Sequence, residues 1–150
     1  MAKAGDTIEN QYTGQRITFV RTSADTGGEV LELESLMPGG GPMPPSHLHP
    51  SQDERFEVLE GEVEAGIGGE PRVYAAGETF DIPAGTPHYM RAAGEADARV
   101  KWETRPALRT EDFFEAAFGP EPGPHLLEEY ADVFRLALRP EHRHVERRDQ

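Results

Sequence analysis

The sequence predicts an all-β domain of antiparallel strands, followed by two short helices. Glycine and proline recur throughout the first 100 residues, and short stretches rich in β-branched and aromatic residues lie between them. Several of these stretches alternate apolar with polar residues, which is typical of strands that bury one face in a core. Because the stretches follow one another closely, neighbouring strands are expected to pair antiparallel, as in a sandwich or barrel.

The predicted strands can be justified in chain order by their alternation. In "EVLELESLM", Leu31 and Leu33 alternate with Glu32, and in "ERFEVLEG", Phe56 and Val58 share one face. The stretches that follow them along the chain show the same strand-type composition. Strand-type stretches occupy residues 15–22, 29–37, 54–61, 62–69, 71–85, 87–92 and 97–104.

Helical periodicity replaces strand alternation after residue 105. The stretch "TEDFFEAAFGP" begins with Thr110, a residue type that caps helices, and Gly119 and Pro120 stop the helix. The stretch "HLLEEYADVFRLALRP" carries apolar residues at helical spacing and is expected to end at Pro140. The sequence therefore predicts two helices after the β region.

We divide the chain into a β-barrel, residues 1–108, and a helical C-terminal extension, residues 109–150, within one domain overall. The extension is too short to bury its apolar stripes by itself. It is therefore expected to pack on the barrel or on a partner subunit. The aromatic side chains of Phe113, Phe114 and Phe118 could serve either contact.

Composition excludes several classes of protein. The 150 residues include no cysteine, so disulfides, thiolate zinc sites, iron–sulfur clusters and cysteine nucleophiles are excluded. The formal net charge of −13 disfavours nucleic acid and anionic membranes, because phosphate contacts need clustered Lys and Arg. No apolar run approaches the ~20 residues of a membrane helix, and the first residues lack the apolar core of a signal peptide. We therefore expect a soluble cytoplasmic protein that binds neither nucleic acid nor membrane.

The stretch "GPMPPSHLHPSQDERFEVLEG" concentrates the candidate chemistry. His47 and His49 are two residues apart, so both imidazoles point to the same face of a strand. Glu54 is an odd number of positions beyond His49, but the turn-type "PSQD" can reset the phase, and Glu54 then shares the interior face of Phe56. A bare carboxylate in an apolar interior needs a cation or a proton to compensate it.

A third histidine, His88, follows the turn "PAGTP" and begins the next predicted strand. Three imidazoles and one carboxylate would form a nitrogen and oxygen site suited to Fe(II), Mn, Co, Ni, Cu or Zn. Other interpretations stay open at this point. The first two histidines could lie in an exposed polar loop, His88 could be a core residue, and Gln52 or Asp53 could replace Glu54.

The two stretches resemble the signature motifs of the cupin superfamily. The first motif is a glycine, five residues, His-x-His, three or four residues, a glutamate, six residues and a glycine. The second is a glycine, five residues, Pro-x-Gly, two residues, a histidine, three residues and often an asparagine, where this chain has Ala92. Nine positions match: Gly41, His47, His49, Glu54, Gly61, Gly77, Pro83, Gly85 and His88. The surrounding strands extend the likeness over residues 10–105.

The resemblance implies a jelly-roll barrel of two antiparallel sheets that holds one divalent transition metal per chain. It also implies that His47, His49, Glu54 and His88 are the metal ligands and that the chain forms a homodimer. Ligands of this kind do not select firmly among Fe, Mn, Ni, Co, Cu and Zn, so the metal stays open. The expected partner is a small-molecule substrate or ligand.

A substrate pocket is expected beside the metal, walled mainly by inward-facing apolar residues. Few polar groups besides the ligands are expected to face inward, and the candidates are Gln52, Tyr74 and Arg91. The predicted pocket residues are Met43, Gln52, Phe56, Val58, Phe80, Met90 and Trp102.

Two classes of function follow from these expectations. The first is a metal-dependent enzyme, above all a dioxygenase acting on a small aromatic or enolisable compound. Glu54 would be its catalytic residue, by resemblance to quercetinase-type cupins in which the ligating glutamate accepts the substrate's proton. A non-redox metal would instead act as a Lewis acid in an isomerase or cyclase. The second class is a non-catalytic small-molecule-binding cupin, which the scarcity of inward polar groups favours equally.

Overall fold

Two antiparallel sheets packed face to face form most of the structure, a computed structural model that describes residues 2–137. The predicted all-β jelly roll with few short helices is confirmed. The strands are β1 (Thr7–Glu9), β2 (Arg16–Arg21), β3 (Leu31–Met37), β4 (His47–Leu48), β5 (Asp53–Glu60), β6 (Glu62–Ile67), β7 (Glu70–Ala75), β8 (Thr79–Ile82), β9 (His88–Ala92), β10 (Ala98–Arg105) and β11 (Arg135–Leu136). The helices are α1 (Ser23–Thr26), α2 (Thr110–Ala117) and α3 (Leu126–Glu129).

The order of strands brings the candidate site together from both sheets. Within residues 2–137, one sheet has the order β1-β2-β3-β10-β5-β8 and the other β11-β4-β9-β6-β7. Each described strand pair is antiparallel. Glu54 lies on β5 in the first sheet, whereas His47 and His88 face each other on β4 and β9 in the second. A point between the sheets is therefore within reach of all three side chains.

The core follows the alternation of the strands. On β3, burial alternates residue by residue, so that Leu31, Leu33, Ser35 and Met37 face inward. The middle strand β10 repeats this pattern, with Trp102 among its buried residues. Each large apolar side chain that is removed from water contributes about 1.5–3 kcal/mol, and this burial holds the two sheets together. No helix in the described part of the chain is both long and apolar enough to cross a membrane.

Only a small part of the second predicted helix is helical in the structure. Residues 126–129 form a single helical turn, and the chain then becomes β11, in which Arg135 and Leu136 pair with Leu48 and His47 of β4. A helix shorter than about 12 residues is only marginally stable by itself, and the edge of β4 offers main-chain groups that need partners. This segment therefore pairs with β4 as a strand, although its apolar residues have helical spacing. The predicted helix end, residues 138–140, lies outside the described residues.

Gln52 joins the turn before β5 to the segment that leads into α2. Its Nε2 lies 2.9 Å from the carbonyl oxygen of Pro106, 3.0 Å from that of Ala107 and 2.7 Å from Oγ1 of Thr110. The side chain is 1% exposed. Thr110 is the first residue of α2 rather than its cap, because Arg109 occupies the capping position. The hydroxyl that was expected to cap the helix instead contacts Gln52.

Replacing Gln52 by leucine is expected to lower the free energy of unfolding by about 2 kcal/mol, because buried acceptors lose a donor. Urea unfolding of the purified protein measures this difference. Gln11→Leu, at an exposed turn position, is the control and is expected to change stability by less than ~0.5 kcal/mol. Equal small effects in the two variants would show that Gln52 is not an anchor.

Candidate metal centre

Three histidines converge between the two sheets. His47 and His88 are opposite partners on β4 and β9, and His49 follows His47 by two residues. One ligand nitrogen of each ring lies within 4.8 Å of the other two. His49 and His88 are buried, and His47 is half-buried. This grouping of imidazoles is typical of a metal site built from nitrogen and oxygen ligands.

Main-chain carbonyls determine which ring nitrogen of two histidines faces the centre. His49 Nδ1 lies 2.7 Å from the carbonyl oxygen of Val133, and His88 Nδ1 lies 2.8 Å from that of Thr86. A carbonyl oxygen only accepts, so each Nδ1 carries the hydrogen and each Nε2 presents a lone pair. Metal-binding histidines are commonly oriented by such a bond from the other ring nitrogen.

The carboxylate of Glu54 completes the cluster. Its Oε1 lies 3.2 Å from Nε2 of His49 and 3.2 Å from Nε2 of His88. Trp102 Nε1 donates a hydrogen bond of 2.8 Å to the other oxygen, Oε2. His49 Nε2 and Glu54 Oε1 are among the buried side-chain atoms of residues 2–137 that lack a hydrogen-bond partner. Two buried acceptors this close repel each other unless a cation or a proton lies between them, so the residues fit a metal ion.

The protonation states also suit a metal. Burial and the repulsion of His88 and His49 lower the pKa of His47 to about 3. Burial alone would raise the pKa of Glu54, but the neighbouring imidazoles of His49 and His88 outweigh this effect and hold that pKa below its ordinary value. At neutral pH His47 is therefore uncharged and Glu54 is a carboxylate, the forms in which these residues ligate metals.

A cavity of about 300 Å³ opens beside the histidines. Small-molecule sites span roughly 300–1,000 Å³, so this volume corresponds to a small ligand. Aromatic and other apolar side chains form most of the wall, including Phe56, Met90, Trp102, Phe114 and Phe134. The polar lining residues besides the cluster are Asn10, Gln15 and Ser35.

The structure separates the predicted pocket residues into two groups. Phe56, Met90 and Trp102 line the cavity, whereas Met43, Gln52, Val58 and Phe80 do not. Met43 is 40% exposed in the loop before β4, and Val58 is fully buried in the core. Phe80 stacks on Tyr74 with ring centres 4.3 Å apart, and both rings belong to the hydrophobic core. Gln52 is engaged by the segment before α2, as described above.

The C-terminal segment provides two contacts that local sequence patterns did not predict. The Val133 carbonyl orients His49 across 84 residues of sequence. The ring of Phe134 stacks on that of His47 at 4.7 Å, and on that of Phe113 at 4.7 Å. Helical spacing placed these residues on a helix face, and nothing local indicated that they reach the site. The aromatic residues of α2 cover the cavity, which is one of the two roles expected for them.

Replacing Trp102 by phenylalanine is expected to weaken metal binding about tenfold, because Glu54 loses the donor that orients its carboxylate. Equilibrium dialysis against Co²⁺ measures the affinity. Phe56→Leu is the matched control, since Phe56 stacks on Trp102 at 5.3 Å but does not hydrogen-bond to Glu54. Unchanged Co²⁺ affinity in Trp102→Phe would show that the indole only lines the cavity and does not orient Glu54.

The chain is similar to known proteins over much of its length. Residues 33–102, which include the histidines and Glu54, match the family model described as "Cupin domain". Quercetin 2,3-dioxygenase of Bacillus subtilis (strain 168) is 32% identical over 83 residues, which cover 55% of this chain and 25% of that protein. Oxalate oxidase GF-3.8 of Triticum aestivum is 33% identical over 112 residues, which cover 67% of this chain and 48% of that protein. The chain thus spans between a quarter and about half of the length of these relatives.

Solved structures agree with the fold. The RmlC-like cupin of Shewanella frigidimarina NCIMB 400 has a TM-score of 0.59 at 19% identity, with 74% of this chain and 94% of that chain covered. A recombinant oxalate oxidase in complex with glycolate has a TM-score of 0.53 at 30% identity, with 70% and 56% covered. The motifs, the two-sheet architecture, the histidine cluster and these similarities lead to one conclusion: the chain belongs to the cupin superfamily.

Proposed function

We propose that this protein is a metal-dependent dioxygenase that acts on a small aromatic or enolisable compound. One observation carries the proposal: the partnerless Nε2 of His49 and Oε1 of Glu54 lie 3.2 Å apart, and Glu54 lines an apolar, aromatic-walled cavity together with His47 and His88. In this proposal Glu54 is the fourth metal ligand beside the three histidines. Two relatives are named a dioxygenase and an oxidase, which supports oxidative chemistry.

Each group of the chain has a part in the proposed reaction. A bound redox-active divalent metal would supply the chemistry that joins an organic substrate with dioxygen. His47, His49 and His88 would hold the metal through neutral imidazole nitrogens. Glu54 would accept the proton of a phenol or enol on its carboxylate, which Trp102 orients through a hydrogen bond to Oε2. The aromatic walls would exclude water from a flat substrate.

A non-catalytic binding protein is the second candidate. It is favoured by the wall of the cavity, in which the polar side chains outside the cluster are Asn10, Gln15 and Ser35. An enzyme needs groups that act on or orient its substrate, whereas a binding protein can rely on shape and burial alone. Turnover, rather than binding, separates the two functions.

Oxygen uptake by the metal-loaded protein tests the proposal. Samples loaded with Fe²⁺, Mn²⁺, Co²⁺, Ni²⁺ or Cu²⁺ would be supplied with flavonols and β-diketones, with Glu54→Gln as the inactive control. The proposal predicts uptake that depends on metal and substrate and is lost in the control. Tight binding of these compounds without uptake under any metal would favour the binding protein, and turnover without oxygen by a zinc-loaded sample would favour an isomerase or cyclase.

A further inference from the structure

A polar pair, the buried Ser35 and the half-buried Gln15, lies in the wall of the cavity, away from the histidines. Ser35 is 2% exposed, and Gln15 Nε2 donates a hydrogen bond of 3.0 Å to its hydroxyl oxygen. Both side chains line the cavity. The other inward residues of β3, Leu31, Leu33 and Met37, are apolar, so the hydroxyl interrupts an otherwise hydrophobic face.

The register of the sheet shows how far this pair lies from the metal centre. Glu54 is opposite Thr104 on β10, whereas Ser35 is opposite Val100. Ser35 is therefore two strands and four residues away from Glu54, on the order of 15 Å between Cα atoms. The row between them contains Phe56 and Trp102, whose rings stack with centres 5.3 Å apart. Along the cavity wall, the aromatic pair therefore separates the polar group of Glu54 from that of Ser35.

The hydrogen bonds of the pair leave it able to bind a ligand. A serine hydroxyl that accepts one bond can still donate its own hydrogen. The amide of Gln15 has a second N–H and a carbonyl oxygen besides the N–H that it gives to Ser35. A buried hydroxyl costs free energy relative to an apolar residue unless it is hydrogen-bonded, and a role in packing alone does not require one in a cavity wall.

We propose that Ser35 and Gln15 form a second binding subsite that recognises one hydroxyl or carbonyl oxygen at the end of the substrate remote from the metal. This inference rests on the proposed function, because it takes the other end of the substrate to be an enol or phenol at the metal centre. The matching substrate class is flat, elongated and apolar in the middle, with an oxygen function at each end. The aromatic row of Phe56 and Trp102 contacts its middle part.

Two probes that differ by one remote hydroxyl test the subsite. 3-Hydroxyflavone carries the metal-binding pair of oxygens alone, and 3,4′-dihydroxyflavone adds a hydroxyl at the opposite end. Their dissociation constants would be measured anaerobically on the Ni²⁺-loaded protein by absorbance titration. We expect the wild type to bind the dihydroxy probe about tenfold more tightly, the value of one good hydrogen bond.

Variants assign that preference to the pair. Ser35→Ala and Gln15→Leu are expected to lose the preference for 3,4′-dihydroxyflavone over 3-hydroxyflavone. Ser51→Ala, an exposed serine outside the cavity lining, is expected to keep it. Equal affinity of the wild type for both probes, a preference retained in Ser35→Ala, or failure of both probes to bind would overturn the subsite.

Turnover of the simpler probe distinguishes this inference from the proposed function. 3-Hydroxyflavone lacks the remote hydroxyl, so its oxidation needs the metal centre but not the subsite. Oxygen uptake with 3-hydroxyflavone, together with equal affinity for both probes, would overturn the subsite and leave the dioxygenase proposal standing. A preference for the dihydroxy probe without uptake would support the subsite on a protein that binds rather than oxidises.

Discussion

Exchanging Glu54 for glutamine is expected to weaken metal binding by more than about 100-fold while the fold is retained, because one ligand and its negative charge are lost. Glutamine has the same shape, and its amide oxygen can still accept the hydrogen bond from Trp102. The metal-free variant is also expected to unfold within a few degrees of the metal-free wild type. The substitution removes both the cost of burying a carboxylate and the attraction of that carboxylate to the histidines, and these two effects oppose each other.

Metal analysis and thermal unfolding together measure this prediction. Glu57→Gln, three residues further along β5 and outside the cavity lining, is the matched control and is expected to bind metal as the wild type does. The combination of lost metal and undiminished stability separates a ligand from a structural residue. Full metal occupancy in Glu54→Gln, or a large loss of stability without loss of metal, would contradict the role assigned to Glu54.

Removing residues 133–150 is expected to weaken metal binding about 10–100-fold, because His49 loses the carbonyl that orients its ring. The same truncation removes the ring stacked on His47 and the strand paired with β4. A shorter truncation, of residues 138–150, keeps all of these contacts and is the matched control. Metal affinity would be measured by competition with a chelator of known affinity.

Phe134→Ala separates the two contacts of this segment. It keeps the Val133 carbonyl but removes the aromatic ring above His47. We expect it to retain most of the metal affinity, and to be the useful variant if the longer truncation does not fold. Equal metal affinity in both truncated proteins would show that residues 133–137 do not belong to the metal centre.

Much of the fold could be predicted because alternation is a local property. The strand β3 shows its inward face directly in "LELESLM", and the paired histidines, the turn and Glu54 lie within eight consecutive residues. The second cupin motif then implied that His88 belongs to the same site, although no local pattern shows which residues it contacts. Because Glu54 shares a strand face with Phe56, it was also predicted to turn inward, and the structure places its side chain in the interior.

The remainder depended on contacts that join distant parts of the chain. Val133 and Phe134 carry helical spacing, and only the free edge of β4 turns the segment after them into a strand. Gln52 was expected in the pocket as one of the few polar residues that face inward, but three acceptors more than 50 residues away engage it. Ser35 did leave a local sign: it is the one polar residue among the inward positions of β3.

The metal content of the untagged, purified protein tests whether the histidine cluster is a metal site. We expect about one divalent transition metal ion per chain, as for a single cluster of nitrogen and oxygen ligands, and its loss from a His47→Ala/His88→Ala variant of unchanged secondary structure. A protein that binds no stoichiometric metal even after the ions are supplied, or a double variant that binds as much as the wild type, would contradict it.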